Sequence, residues 1–210
     1  KRGLVSDEFY PTLNRDNVEL IPAALQKVTA TGLVTGCGRA IDADVIIYCT
    51  GYKVLDFDRF DVVGPGGLSL ADTMAASPAA HKSVSVPGFP NYFLAPGPNG
   101  LVLTVPYFRT IEKTIATVVR LLDQMRLENT ATIVVKSTAA DAYTRWMRGR
   151  FSRYSWAATT CSSYYRTQSG HSPFLFPGNY REFCRQLDEL ELDDFDCSPR
   201  VPAATVAERP

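Results

Sequence analysis

The run from Gly88 to Met125 constrains the fold most: a short apolar segment, a loop of glycine and proline, and a long amphipathic pattern follow one another. Asn91 to Ala95 reads as a short strand between Pro90 and Pro96. Gly97-Pro98-Asn99-Gly100 is dense turn chemistry, with glycines free to take positive φ and prolines fixing theirs. Pro106 stands where a first helical residue belongs, because its missing N–H is not needed there, and Thr104 is a candidate N-cap. Phe108, Ile111, Ile115, Val118, Leu122 and Met125 then recur at steps of 3 or 4, which predicts one buried face of an α-helix. A Gly-rich loop leading into a helix N-terminus is a natural seat for a polar or anionic group. By itself such a unit is scaffold more often than site.

The rest of the chain reads as α/β. Asn17 to Ile21 is a strand candidate, and Gln26 to Thr35 around Thr31-Gly32 suggests a hairpin. Gly36-Cys37-Gly38 has no third glycine at the dinucleotide spacing and precedes a strand, so it reads as a turn. Asp44 to Cys49, DVIIYC, is a nearly continuous β-branched run, typical of a strand buried on both faces of a parallel sheet. It ends in Thr50-Gly51-Tyr52, the kind of turn that forms the ligand edge of such a sheet. Residues 54 to 87 read as surface loop with one short helix near Leu70 to Ala75, and His81 as exposed or hydrogen-bonded in that loop. A strand at Thr132 to Lys136, a helix from Ala139 to Arg150 capped by Thr138, and a helix from Asn179 to Leu190 follow. The tail after residue 195 is Pro/Ala-rich without an apolar period and is expected to be disordered.

Composition excludes several functions. In 210 residues, 22 basic side chains balance 22 acidic ones, where a nucleic-acid or membrane-surface role favours a basic excess. No apolar run approaches the roughly 20 residues of a membrane span. Five scattered cysteines argue against a disulfide framework and for a reducing compartment, the cytoplasm. His81 and His171 lack metal-ligand spacing, so no metal site is expected.

Three segments carry a family resemblance: KRGLVSDEFYPTLNRDNVEL at the start, GFPNYFLAPGPNG with Ile111-Glu112 in the following helix, and Cys161 to Tyr165 with Phe174 to Gly178. Together they resemble class B flavoprotein monooxygenases of the Baeyer–Villiger type, over roughly Lys1 to Phe183. Tyr164 and Phe176 stand where that family usually has tryptophan, and Cys49 replaces an alanine before Thr50-Gly51. The resemblance implies part of a Rossmann-like flavoprotein with two dinucleotide-binding domains: the last strands of the NADP domain over 1–55, the second half of the FAD domain over 56–195, and a tail over 196–210. It implies NADPH as reductant, FAD as cofactor, and oxygen insertion into a ketone through a C4a-peroxyflavin; a related N- or S-oxygenating enzyme and a cofactor-free remnant of the fold stay open. Arg2 is the implied catalytic residue, a permanent charge for the peroxyflavin anion, and Lys1 the implied holder of the NADP 2′-phosphate. Cofactor contacts are implied at Thr50, Gly51, Tyr52, Gly97, Asn99, Thr104, Val105 and Tyr164. No complete GxGxxG occurs, so the chain reads as a C-terminal part whose partner is the N-terminal remainder of the enzyme, with a small ketone or heteroatom substrate and O2.

Overall fold

The computed structural model describes residues 5–51, 56–154, 165–166 and 172–200. The chain divides into two compact units, Lys1–Tyr52 and Lys53–Pro210. No helix among the described residues is long and apolar enough to cross a membrane.

The first unit opens with a one-turn helix, α1 (Phe9–Leu13), followed by a three-stranded antiparallel meander of β1 (Leu25–Val28), β2 (Gly32–Thr35) and β3 (Ala40–Asp42). The hairpin expected around Thr31-Gly32 forms, with Val28 opposite Leu33. Gly36-Cys37-Gly38 is the turn to β3, and Gly38 takes φ +84°. Two elements differ from the sequence pattern. Asn17–Ile21 is not a strand, and neither is Asp44–Cys49, where Val45, Ile47, Tyr48 and Cys49 are exposed. A run of β-branched residues encodes burial on two faces, but burial requires neighbouring strands and covering layers. Among the described residues no strand pairs with this one.

The second unit is built on α3 (Tyr107–Leu127), which with α5 (Tyr180–Asp188) packs beside a two-stranded antiparallel sheet of β4 (Thr130–Val135) and β5 (Phe195–Pro199). Two further helices are α2 (Leu70–Ala76), capped by the Ser69 side chain, and α4 (Ser137–Phe151). On α4, Ala140, Tyr143, Met147 and Phe151 turn inward at helical spacing and meet Ile133 and Val135 from β4. Phe176 and Phe183 close this core edge-to-face at 5.2 Å. Each such buried aromatic contributes about 1.5–3 kcal/mol of apolar transfer. Asn179 and Glu182 form a reciprocal capping box on α5. Arg120 from α3 donates to the Leu187 and Leu190 carbonyls at 2.9 and 2.7 Å, closing the other end of α5 with a positive charge.

Several expectations are overturned here. The buried face of α3 is Thr110, Thr114, Thr117, Leu121 and Met125, while Phe108, Ile115 and Leu122 face solvent. Each of the three threonine hydroxyls donates to a backbone carbonyl one turn back, at 2.7, 2.7 and 3.0 Å. A threonine so satisfied presents a methyl group and packs like a small apolar residue. Asn91–Ala95 is a turn with one isolated bridge, Ser85 to Phe93. The N-cap of α3 is Pro106, and no side chain caps the helix, so Thr104 does not hold that role. The stretch from Ala80 to Val86 is largely buried instead of surface loop: His81 is 3% exposed, with Nε2 3.3 Å from the Asp194 carboxylate but without hydrogen-bond alignment. Finally, the tail expected from residue 196 begins as β5, which pairs Phe195 with Val135 and Cys197 with Ile133. Its ladder partner lies some sixty residues earlier, out of reach of any local pattern. Residues 201–210 lie outside the described residues.

Candidate functional site

The loop before α3 owes its shape to bonds reaching into three other segments. Gly97 N–H donates to Ser83 O and Leu94 N–H to Val84 O, both at 2.7 Å. Asn91, at φ +54°, substitutes for a strand neighbour: its side chain and backbone bond to Ala131 and Ile133 of β4. Asn99, at φ +60°, gives both its amide hydrogens away, to Ser172 O at 2.8 Å and Leu175 O at 2.9 Å. Leu101 and Leu175 continue the joint as a parallel bridge. Gly97 has no room for a side chain, since a Cβ would run into Leu94.

This scaffold walls a cavity of about 210 Å³, lined by Asp56, Phe57, Leu94, Pro96, Gly97, Leu101, Tyr107 and Phe174. Tyr107 is the first residue of α3, so the cavity lies at a helix N-terminus. The first-turn N–H groups there carry partial positive charge and meet no capping side chain. Burial pushes the Tyr107 phenol above its ordinary pKa, which keeps it a neutral donor. Asp56 is held by Arg59, Nε to Oδ2 at 3.0 Å. The rest of the wall is apolar or aromatic, as in a site that excludes water from a small organic molecule. Its volume falls below the about 300–1,000 Å³ of a complete ligand pocket, so these residues form part of a site. In the first unit, a second apolar hollow of about 290 Å³ lies among Ile21, Leu25, Leu33, Ile41 and the 46–50 segment.

Of the residues implicated by sequence, Gly97 lines the larger unit's cavity and Asn99 stands behind it as a clamp, its donors consumed by backbone carbonyls. Thr104 is exposed, and Val105 is half-buried against the core, both on the short lead into α3. Thr50 lines the hollow of the first unit, and Gly51 follows it at φ +100°. Lys1, Arg2, Tyr52 and Tyr164 lie outside the described residues. Sequence reasoning missed Asp56, Phe57, Leu94, Tyr107 and Phe174. Tyr107 and Phe174 carried a usable signal, since both flank motifs already singled out; Asp56 and Phe57 sat in a segment read as loop and carried none.

A group such as FAD fits these residues in part. The uncapped α3 terminus and the side-chain-free backbone at Gly97 suit the polar edge of a flat ring. Nothing in the sequence suits a pyrophosphate, for want of GxGxxG.

No family model matches the chain. It is 33% identical over 193 residues to a Baeyer–Villiger monooxygenase of Pseudomonas aeruginosa, covering 90% of this chain and 37% of that protein. Among solved structures, OTEMO in complex with FAD and NADP superposes with a TM-score of 0.80 at 28% identity, over 94% of this chain and 38% of that one. The closed structure of cyclohexanone monooxygenase superposes with a TM-score of 0.81 at 24% identity, over 95% and 39%. The chain thus spans about two fifths of the length of the relatives it matches, and its α/β fold is that of part of a flavoprotein with two dinucleotide-binding domains.

Proposed function

We propose that this chain, which corresponds to the C-terminal portion of a class B flavoprotein monooxygenase of the Baeyer–Villiger type, is the part of an NADPH- and FAD-dependent enzyme that walls the reaction site and inserts oxygen into a ketone. The carrying observation is the incomplete apolar cavity at the uncapped N-terminus of α3. FAD, reduced by NADPH, supplies the activation of O2 when bound. The chain's own residues supply the surroundings. The α3 terminus offers positive potential to a ring edge, with the backbone of Thr104 and Val105 leading into it and Gly97 lining the same cavity. Phe57, Leu94 and Phe174 keep water from a small ketone. Arg2 contributes a permanent positive charge beside the reacting oxygen, and Lys1 a point charge for the 2′-phosphate of NADP. Thr50, Gly51, Tyr52 and Tyr164 complete the cofactor contacts.

In this reading residues 1–55 close the NADP domain, 56–195 form the second half of the FAD domain, and the N-terminal remainder of the enzyme is the obligatory partner. The free thiols of Cys37, Cys49, Cys184 and Cys197 suit the cytoplasm. The test uses the chain joined to a fingerprint-bearing N-terminal part, supplied with NADPH, O2 and a panel of cyclic and linear ketones. Lactone or ester should appear in step with NADPH consumption, and Arg2→Ala should lose product while NADPH still bleaches the flavin. Sulfoxide or N-oxide from heteroatom substrates without any ester would select the heteroatom chemistry instead. No oxygenated product of either kind would refute the assignment.

A further inference from the structure

The turn from His81 to Ser85 is built against the preference of its own residues. Its two central residues, Lys82 and Ser83, take φ +47° and +63°, and Val84 N–H donates across them to His81 O at 2.9 Å. A turn that is left-handed at both centres is ordinarily filled by Asn, Asp or Gly, because the β-carbon of other residues crowds the following carbonyl. Such backbone persists where surrounding contacts over-determine it, and it gathers where position matters to function.

The contacts lie on two sides. Behind the turn, the Lys82 side chain, 11% exposed, reaches the far end of α5, where Nζ donates to Glu189 O at 2.8 Å and to Asp194 Oδ2 at 3.3 Å. Asp194 is itself anchored, its carbonyl accepting Lys136 N–H at 2.9 Å and its carboxylate standing 3.3 Å from His81 Nε2. In front of the turn, Ser83 O accepts Gly97 N–H and Val84 O accepts Leu94 N–H, both at 2.7 Å. Gly97 and Leu94 line the cavity beside α3.

We infer that Lys82 is a positioning residue for this cavity: its ammonium pins the left-handed turn whose carbonyls set where Gly97 and Leu94 stand. The inference rests on the proposed function, in which that cavity walls the reaction site. Closing α5 does not account for the pin, because Arg120 already donates to the Leu187 and Leu190 carbonyls at the same helix end. What Lys82 ties down is the turn. Without the pin, Lys82 and Ser83 relax toward right-handed φ, and the Ser83 carbonyl swings off Gly97 N–H.

The test follows amide exchange in the full 210-residue chain, with Asn91 N–H, bonded to Ile133 O at 2.9 Å in the same unit, as the internal reference for general loosening. Lys82→Met keeps the stem and removes the charge, and should raise the ratio of Gly97 to Asn91 exchange at least about 10-fold. Ser83→Gly takes a left-handed φ freely, so on that background Lys82→Met should raise the ratio less than about 3-fold. In the chain joined to an N-terminal part that binds FAD, Lys82→Met should raise the ketone KM at least about 5-fold and leave kcat within about 2-fold. An unchanged ratio, with both amides equally fast or equally slow, would overturn the inference by making Lys82 an ordinary stabilising contact. So would an equal rise on the Ser83→Gly background, or an unmoved KM beside a loosened Gly97. Absence of oxygenated product from the unsubstituted joined protein would defeat the proposed function, and the exchange ratios would then decide the inference alone.

Discussion

Asn99 ties the two walls of the cavity together, and its replacement should loosen them by a calculable amount. The side-chain amide donates to Ser172 O and Leu175 O at 2.8 and 2.9 Å, holding the segment that carries Phe174 against the loop that carries Gly97. Two hydrogen bonds at about 0.5–1.5 kcal/mol each give about 1–3 kcal/mol for the pair. Asn99 also sits at φ +60°, where a β-carbon other than that of Asn or Asp adds about 1–2 kcal/mol. Asn99→Ala should therefore cost about 2–5 kcal/mol. Asn99→Gly escapes the φ penalty and should cost less. Asn99→Asp keeps shape and φ tolerance but turns acceptors toward two carbonyl oxygens, and should cost at least the value of both bonds. Urea unfolding followed through Trp146, which packs against the core of the same unit, gives the free energies. Amide hydrogen exchange localises the effect: Leu101 and Phe176 N–H, which bond across the same joint, should exchange about 5- to 150-fold faster in Asn99→Asp. A silent Asn99→Asp, in stability and in exchange at both amides, would show that the amide does not clamp the walls.

Three further outcomes are expected. Burial holds the His81 imidazole below its ordinary pKa, with Asp194 pulling it up and Lys82 pushing it down beside the buried Tyr143 ring. The unfolded chain then binds the proton more readily, so stability is full above pH 6.5 and falls as pH drops toward the folded value; Tm against pH should slope there, and His81→Gln should flatten the slope. Asn179→Ala should destabilise the second unit by about 1 kcal/mol in chemical denaturation, while the Glu182 pKa should stay below its ordinary value, because the backbone N–H of residue 179 and Arg150 that hold it low survive the substitution. In the assembled flavoprotein, Thr104→Asp should offset the α3 dipole by about 0.3–1 kcal/mol and lower the flavin midpoint potential, while Leu127→Asp at the far end leaves it unchanged; equal shifts from both would place the helix terminus away from the ring.

What the amino-acid sequence determined by itself is the part of the fold that rests on local rules. The β1–β2 hairpin follows from its turn residues, α2 from Ser69 and the small helical run after it, α5 from the capping pair Asn179 and Glu182, and β4 from its β-branched residues. The loop from Gly97 to Gly100 leading into α3 was legible for the same reason. Tertiary structure decided everything that depends on which surface meets which. It turned the threonine face of α3 inward, because a hydroxyl bonded to its own helix no longer counts as polar. It made β5 from a segment with no strand pattern, because the ladder to β4 supplies the bonds. Among the described residues it left Asp44–Cys49 without strand partners, although its composition calls for burial. It also assembled the cavity from Asp56, Phe57, Leu94, Tyr107 and Phe174, which are spread over more than a hundred residues. Period and propensity report what a residue prefers next to its neighbours in the chain; a binding wall is set by neighbours in space, and only the folded backbone brings those together.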